Sequence, residues 1–358
     1  MRQKMKKTKL LVLFGGQSTE HEISCISAGT VLKNVDFDRF EVKACGITKE
    51  GDFIVMPGVD GAIDVESIVS GKWASVPESG KEGIKPAVDT IYGCDVVFPV
   101  MHGIMAEDGS IQGLLSVLGK PFVGAGILSS AVCMDKVYTK VILKEAGIPV
   151  VPWVTVERTD LSDLPLVKRE IAAKIGYPCF VKPSNSGSSV GAFKVVSEGD
   201  IGDKLKEAAK YDRKVLVEKY IPAREVECAV LGNREPKAAT PGEIISTSEF
   251  YDYDDKYING TSSTRIPADI PAEDRELIKE LAVKAYVALD CAGLARVDFF
   301  KDRETGEIYL NEINTIPGFT SISMYPQMWE HEGVSIKNLI TELIDLALLN
   351  KEENSRTI

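Results

Sequence analysis

The sequence predicts an α/β fold divided into several domains. The chain has 358 residues, which at roughly 100 to 200 residues per domain suggests two or three domains. Short apolar segments alternate with segments of helical periodicity along most of its length. Hydrophobic residues make up 44% of the chain and charged residues 27%, which is the balance of a globular protein rather than of a disordered or fibrous one.

The first predicted domain covers residues 1–125. Residues 10–14 form a continuous apolar run typical of a buried parallel strand, and residues 24–34 are predicted to form the helix after it. Residues 40–47 and 96–100 add two strands, and residues 111–118 add a helix. We therefore expect an α/β domain of parallel type here.

The second and third predicted domains cover residues 126–222 and 223–358. The second is expected to begin with a long helix over residues 128–146, ended by Gly147 and Pro149. Its other predicted elements are strands at 179–182, 192–196 and 215–220, with helices near 165–175 and 200–210. The third is predicted to contain a turn-rich stretch at 246–263, a helix over 271–291, a hairpin across 294–314 and a helix near 335–350.

Charge and hydropathy exclude several classes of protein. The formal net charge of -11 repels a polyphosphate backbone, so we expect no nucleic-acid partner. No apolar run reaches the length of about 18 residues that a membrane span needs. The apolar run at residues 10–14 is also too short for the core of a signal peptide. We expect no association with a membrane.

The cysteines indicate a reducing compartment. There are seven, widely spaced and without a C-x-x-C pair, which argues against a disulfide framework and against a zinc site. Free cysteines of this kind are usually small buried side chains. We expect reduced thiols and a cytoplasmic location.

A strand that leads into a loop of small residues predicts a phosphate site. Residues 182–191 read KPSNSGSSVG, so Lys182 is delivered by a strand and the loop allows backbone N–H groups to approach phosphate oxygens. Lys136, on the preceding long helix, is its candidate partner. The spacing is not that of a Walker A loop. An ordinary Ser/Gly turn remains the alternative for this segment taken alone.

The predicted hairpin places polar side chains on one face. Since side chains alternate along a strand, Arg296 and Asp298 share a face, and so do Glu312 and Asn314 on the partner strand. Oxygen ligands from two carboxylates and an amide suit Mg²⁺ that also binds nucleotide phosphates. The alternative is a solvated polar face, which the apolar neighbours along both strands disfavour.

The segment around residues 217–225 is a candidate nucleotide-reading strand. The backbone from Lys219 to Ile221 would meet an adenine edge, and Glu225 would accept hydrogen bonds from ribose hydroxyls. An ordinary edge strand is equally compatible with this segment alone. A dinucleotide-binding motif is disfavoured, because the glycines at 124 and 126 are followed by Ser129 in the third position and lie far from the first strand.

Order and spacing make these motifs resemble the nucleotide site of the ATP-grasp superfamily. Three further segments narrow the resemblance to the D-alanine:D-alanine ligases: FGGQSTEHEIS at 14–24, MHGIMAEDGSIQG at 101–113 and EFYDYDDKY at 249–257. The matching segments extend from about residue 10 to about residue 345. The resemblance implies a three-domain ATP-grasp architecture with a Rossmann-like N-terminal domain, and a lid loop at about 246–263.

The resemblance implies that the chain joins two D-alanine molecules through a D-alanyl phosphate, with ATP as a substrate, for peptidoglycan precursor synthesis. It implies two Mg²⁺ ions, replaceable by Mn²⁺, on Asp298, Glu312 and Asn314, and a homodimer. The residues that it assigns to ATP are Lys136, Lys182, Ser188, Ser189, Glu218, Lys219, Ile221, Glu225 and Lys256.

The resemblance also implies roles around the amino acids. Glu20 would hold the first ammonium group, with His102 near the carboxylate of the same molecule. Arg296 and the N–H of Gly318 would stabilise the oxyanion. Ser188 and Tyr257 would hydrogen-bond to Glu20 and so close the loop that carries Lys256. Ser323 and Met324 would contact the second D-alanine.

The second substrate has two main candidates, D-alanine and D-serine. The Lys256-Tyr257 pair disfavours ligases that form a depsipeptide, and Ser323-Met324 fits D-alanine without excluding D-serine. Another ATP-grasp carboxylate-amine ligase is a more distant alternative. A biotin-dependent carboxylase would not need Glu20 and Tyr257, and a regulatory module would not need Arg296, Asp298 and Glu312.

Overall fold

The architecture is given by a computed structural model, which describes residues 6–56, 64–74, 83–187, 190–245 and 263–355. It contains three separate sheets surrounded by helices. All seven cysteines are free thiols and all are buried, as the sequence predicts. In the described ranges, none of the helices combines the length and apolar character needed to cross a membrane.

The first sheet confirms the parallel type predicted for the N-terminal part. Strands β1, β2 and β4 are parallel, and the short β3 adds an antiparallel edge. The apolar residues of β1 are fully buried because helices cover both faces of the sheet. In the order β3-β2-β1-β4, the strands are β1 Thr8–Gly15, β2 Phe40–Ile47, β3 Phe53–Val55 and β4 Val96–Met101. The helices are α1 His21–Asn34, α2 Val65–Val69, α3 Lys85–Gly93 and α4 Ser110–Val117, with a 3₁₀ turn at Lys72–Ala74.

The second sheet is antiparallel and confirms the strands predicted around the Ser/Gly loop. The helix predicted over 128–146 is in fact two helices. Asp135 has an extended backbone there, and its carboxylate caps the second helix by accepting from the N–H groups of Val137 and Tyr138. In the order β5-β8-β6-β7, the strands are β5 Trp153–Glu157, β6 Cys179–Pro183, β7 Phe193–Val195 and β8 Lys214–Lys219. The helices are α5 Ile127–Met134, α6 Lys136–Glu145, α7 Leu164–Lys174 and α8 Glu198–Ala208, with a 3₁₀ turn at Arg158–Asp163.

The third sheet contains the predicted hairpin as its last two strands. It is antiparallel, in the order β12-β11-β9-β13-β14, with β10 paired to β9. Its strands are β9 Ala223–Gly232, β10 Lys237–Ala238, β11 Gly242–Ile245, β12 Ser263–Arg265, β13 Gly293–Asp302 and β14 Ile308–Asn314. The C-terminal helices are α9 Ala272–Ala288, α10 Met324–His331 and α11 Ile336–Glu353.

Two sets of helices connect the sheets. Leu143 of α6 is buried in one core with Val226 and Leu310 of the third sheet, so α5 and α6 pack on that sheet. Leu343 of α11 is buried in a core that also contains Phe98 of the first sheet. The loops at the ends of β1, β4, β6 and β14 are thereby brought to one cleft.

Candidate active site

A buried ion triad lies beside the cleft, on β6, β8 and the helix α6 that also carries the cleft residue Lys136. Along β6, Val181 points into the core and Lys182 to the other face. The Lys182 Nζ lies 2.7 Å from the Glu218 Oε2 on β8, and the Lys140 Nζ on α6 lies 2.6 Å from the Oε1. The side chains of Lys140 and Glu218 are only 1% and 4% exposed, so water hardly screens the pairs.

The charges of this triad fix its protonation. Burial alone would raise the pKa of Glu218, but the two ammonium groups lower it to about 2. Burial lowers the pKa of Lys182, and Glu218 more than offsets this, so the pKa of Lys182 is raised overall. Glu218 is therefore ionised, and the triad has more lysines than carboxylates. An anionic group suits the end of the cleft next to the triad.

The start of α6 holds the loop after β6. Asp135 accepts hydrogen bonds from Ser184 Oγ at 2.6 Å and from Asn185 Nδ2 at 3.1 Å. The Lys136 Nζ donates to the carbonyl of Ser186 at 2.6 Å. The loop therefore enters the cleft along a fixed path. Ser188 and Ser189 lie outside the described residues, as do Lys256 and Tyr257.

A hairpin cluster, consisting of Glu227, Arg296, Asp298 and Asn314, forms the floor of the cleft. The guanidinium of Arg296 donates two hydrogen bonds to Asp298, at 2.8 and 2.7 Å, and its Nε lies 3.2 Å from Glu227. The Asn314 amide donates to Asp298 at 2.9 Å. Burial lowers the pKa of Arg296, but these carboxylates raise it well above its usual range overall. The guanidinium stays charged in a fixed orientation.

The predicted metal ligands fit Mg²⁺ in chemical type. Asp298 lies opposite Glu312 across the hairpin, and Arg296 lies opposite Asn314. Glu312 is half-buried and lies 3.8 Å from the Lys136 Nζ. The three side chains offer hard oxygen donors from neighbouring positions of two strands, which Mg²⁺ prefers. Considering only His, Cys, Asp and Glu, the described part of the chain has no group of three that could hold a metal, so Asn314 is needed to complete the set.

The opposite, carboxylate end of the cleft is formed by Glu20 and Glu107. Glu20 is buried just before α1, and its carboxylate packs against the backbone of Gly103 and Gly187, where an added Cβ would lie only 2.8 and 3.1 Å from the Oε2. Glu107 accepts a hydrogen bond from the N–H of Gly103 at 2.7 Å. Desolvation in the cleft and the charge of Glu20 raise the pKa of Glu107 to about 8. A cationic group suits this end.

His102 and the segment after β14 lie between the two ends. His102 is buried, and its ring nitrogens contact Ile316 O at 3.0 Å and Ser27 Oγ at 3.1 Å. Burial lowers the pKa of His102, so the ring is neutral. Gly318 packs so closely on Ser323 that an added Cβ would lie 2.7 Å from the Ser323 Oγ. Ser323 precedes α10, and Met324 is buried within its first turn.

One cavity brings together nine of the predicted side chains and backbone positions. It is lined by Glu20, His102, Lys136, Arg296, Glu312, Asn314, Gly318, Ser323 and Met324. The others border it or lie further along: Lys182 and Glu218 form the ion triad, Asp298 holds Arg296, Lys219 ends β8, Ile221 follows it and Glu225 lies on β9.

Three residues of this site were missed by the sequence reasoning. Lys140 is spaced i+4 from Lys136, which places both on one face of a helix. Glu227 follows Glu225 at the strand period of two. Glu107 lies within the recognised segment 101–113. In each case a known period or motif pointed to the position.

The comparisons with known proteins place the chain among ligases. The family models described as "D-ala D-ala ligase N-terminus" and "D-ala D-ala ligase C-terminus" match residues 9–125 and 142–345. A D-alanine--D-alanine ligase of Thermoanaerobacter sp. (strain X514) is 50% identical, covering 98% of this chain and 99% of the relative. One of Clostridium novyi (strain NT) is 51% identical, covering 96% and 98%.

Solved structures give the same result. The D-alanine-D-alanine ligase from Coxiella burnetii superposes with a TM-score of 0.80 at 35% identity, covering 97% of this chain and 95% of that one. The VanG D-Ala:D-Ser ligase from Enterococcus faecalis superposes with a TM-score of 0.83 at 37% identity, covering 96% and 100%.

Proposed function

Because the chain belongs to the family of D-alanine–D-alanine ligases, we propose that it joins two D-alanine molecules with ATP, giving D-alanyl-D-alanine, ADP and phosphate for peptidoglycan precursors. One observation carries this proposal most directly: a single cavity is lined by the carboxylates of Glu20 and Glu107 together with the cationic side chains of Lys136 and Arg296. An amino acid and a nucleotide phosphate would meet in such a cavity with opposite charges facing.

The reaction has two steps. The carboxylate of the first D-alanine attacks the γ-phosphorus of ATP, which forms an acyl phosphate and releases ADP. The amine of the second D-alanine then attacks the acyl carbon, the bond to phosphate breaks, and the amine loses a proton. Both steps bring anions together, so catalysis depends on fixed cations and N–H donors.

We assign the cationic roles to three lysines and to Arg296, and all of them except Lys256 lie among the described residues. Lys136, Lys182 and Lys256 contact the phosphates, and the buried ion triad supports Lys182 in this role. Arg296 and the N–H of Gly318 stabilise the oxyanion of the second step. The contacts of Arg296 with Asp298 and Glu227 orient its guanidinium toward the cavity that Gly318 also lines.

The amino-acid roles fall at the other end. Glu20 receives the ammonium group of the first D-alanine, and His102 lies near the carboxylate. Ser323 and Met324 contact the second D-alanine. Ser188 and Tyr257 link to Glu20, and the loop with Lys256 closes as a lid that excludes water. The closeness of Glu20 to the backbone of Gly187 supports this link, since Ser188 is the next residue.

The nucleoside roles lie beyond the ion triad. The backbone from Lys219 to Ile221 binds the adenine edge, Glu225 binds the ribose, and Glu218 and Ser189 complete the contacts to ATP. The exposed end of β8 at Lys219 supports this, because the strand stops where a planar base could pair with it.

Two Mg²⁺ ions are proposed on Asp298, Glu312 and Asn314. Bound there, they would neutralise phosphate charge. Arg296 and Asn314 already orient Asp298 through hydrogen bonds, so this chain fixes the ligand without the ion. Mn²⁺ offers the same preference for oxygen and is expected to substitute.

The chain is expected to divide into domains that correspond to its three sheets. We propose three units, 1–125, 126–222 and 223–358, with the lid at about 246–263. The separate sheets at Thr8–Met101, Trp153–Lys219 and Ala223–Asn314 support a division of this kind. We also propose a homodimer, on the resemblance alone, and a cytoplasmic location, which the free thiols support.

The test is phosphate release from ATP and Mg²⁺ by the purified protein, with products identified by mass. D-alanine alone is expected to give the homodipeptide. Release of phosphate only when D-serine is also added would favour the second candidate, a D-alanine:D-serine ligase. The similarity to the Enterococcus faecalis structure is the reason to test it. No release with either amino acid, or with D-lactate added, would contradict both.

A further inference from the structure

We propose that Ser27 is a positioning residue for this reaction, acting through His102 to fix the backbone at residues 316–319. The proposal rests on the proposed function, because it concerns the N–H of Gly318. Ser27 lies on α1 and is fully buried, remote in sequence from every residue assigned to the second step. No motif in the sequence singles it out.

The contacts form a closed set of three hydrogen bonds. The Ser27 Oγ lies 3.1 Å from His102 Nε2, and it accepts from the N–H of Phe319 at 3.2 Å. The His102 Nδ1 lies 3.0 Å from the carbonyl of Ile316. Ser27 and His102 therefore hold both ends of one short segment, whose middle contains Gly318.

The chemistry of the groups determines each donor. A carbonyl oxygen only accepts, so Nδ1 of His102 carries the hydrogen and donates to Ile316. In the neutral ring Nε2 is then an acceptor, and the hydroxyl of Ser27 donates to it. The same hydroxyl oxygen still accepts from the Phe319 N–H. Every group in the set is satisfied when the imidazole is neutral.

This arrangement gives His102 a structural task. His102 is 5% exposed, and both ring nitrogens are bonded to protein groups. A ring held in this way does not exchange protons with a substrate unless it first breaks these bonds. Its effect on the reaction is then to determine where the backbone beyond β14 lies.

The segment is fixed from its other side as well. The N–H of Thr320 donates to Ser323 Oγ at 3.0 Å, and Gly318 fits against the same oxygen only because it lacks a side chain. The peptide that presents the Gly318 N–H is thus clamped between α1 and α10. An oxyanion donor must be placed to within a fraction of an ångström, since a shift of about 1 Å is costly.

The main experiment compares Ser27→Ala with wild type in steady-state kinetics. We expect kcat to fall about tenfold, because a displaced oxyanion donor weakens the transition state, while the KM for ATP changes less than about twofold. His102→Phe is expected to give a similar loss. The double variant should lose little more than either single variant, since both break one set of contacts.

Tyr325→Phe is the matched control. It removes a buried hydroxyl that donates to Val230 O, from a side chain whose ring lies 5.9 Å from that of Phe319. It should lower stability to a similar extent and leave kcat unchanged. If Ser27→Ala keeps the wild-type kcat, or if its KM for ATP rises as much as kcat falls, the proposal is wrong.

The tautomer of His102 can be measured by NMR without any turnover, and this provides a second test of the proposal. The chain has only three histidines, so ¹⁵N-labelled histidine side chains can be assigned by single substitutions. The proposal requires His102 to carry its hydrogen on Nδ1 and not to titrate between about pH 6 and 8. An Nε2–H tautomer would overturn it. A wild-type protein that makes no dipeptide would refute the proposed function and leave this tautomer result standing.

Discussion

Two carboxyl groups, Glu107 in the cleft and Glu218 beside it, have pKa values displaced in opposite directions. Glu218, between Lys140 and Lys182, has a pKa of about 2, although burial alone would raise it. Glu107 lies in the cleft with Glu20, and its pKa is raised to about 8. Among the described contacts, no lysine lies at hydrogen-bond distance from its carboxyl group. Burial disfavours the charged form of both carboxyl groups, and only Glu218 has ammonium neighbours that reverse this effect.

We propose that the charges of the cleft orient an amino acid. D-alanine carries both an ammonium group and a carboxylate, and the carboxylate end of the cleft attracts the first. Its own carboxylate then faces Arg296 and the lysines, where the phosphates of ATP are expected to bind. On this proposal, the charges of the cleft would direct the nucleophilic oxygen toward the nucleotide.

The largest effect is expected at Arg296, between the two ends. Arg296→Ala should lower kcat by about 10² to 10³, because it removes a fixed cation from the developing oxyanion. Arg296→Lys should recover little, since an ammonium cannot bond Asp298 with two parallel N–H groups. Steady-state kinetics and ADP binding by calorimetry check this, with the exposed Arg213→Ala as control. A normal rate in Arg296→Ala would remove the residue from the mechanism.

The next effect concerns the cationic end. Lys140→Met should destabilise the fold by about 3 kcal/mol, because one oxygen of buried Glu218 loses its counterion. It should also raise the KM for ATP, since Lys182 is then held more closely by Glu218. Lys144 lies on the same helix but is exposed, so Lys144→Met is a matched control. Equal urea denaturation midpoints for the two variants would contradict the ion triad.

At the carboxylate end, Glu20→Gln should weaken binding of the first D-alanine by about 1.5–3 kcal/mol, the range for a hydrogen bond to a charged group. The KM for ATP should stay unchanged. Glu22→Gln, two residues on and exposed beside Lys49, is the control. Parallel rises in both KM values for Glu20→Gln would show that the two ends are not separate.

The smallest effect is a difference in pH dependence. The folded pKa of Glu218 lies below its ordinary value of 4.5, so its stabilising contribution is present above pH 4.5 and is lost as the pH falls toward about 2. The folded pKa of Glu107 is raised, so its contribution is present below pH 4.5 and is lost as the pH rises toward about 8.

Unfolding free energies measured across this range should therefore separate the two variants. Relative to wild type, Glu218→Gln should be most harmful above pH 4.5, and Glu107→Gln should be least harmful near pH 8. Curves of the same shape for both variants would contradict the assignment of opposite charge environments.

The regular elements of this site could be predicted from the sequence. Strand alternation placed Arg296 and Asp298 on one face, as the structure has them, because Ala295, Val297 and Phe299 face a core. The break at Asp135 was missed, although Asp is a favoured N-cap and the signal was present. The apolar residues continue with helical spacing on both sides of Asp135, so the segment was predicted as one helix.

The contacts across the cleft could not be predicted in this way. Ser27 meets His102 across 75 positions and Phe319 across 292, and local periodicity carries no information at that distance. The packing of α5 and α6 on the third sheet is of the same kind. Only the resemblance to the D-alanine:D-alanine ligases predicted that Glu20 and Gly318 belong to the same site.

The most direct test of the account is the fate of the carboxylate oxygen. D-alanine labelled with ¹⁸O in its carboxylate is incubated with the protein, unlabelled ATP and unlabelled water, and the released phosphate is analysed by mass. We expect each phosphate to carry an ¹⁸O atom from D-alanine, because that oxygen attacks the γ-phosphorus and leaves with it. Unlabelled phosphate would mean that water or another oxygen attacks, and would contradict the central claim.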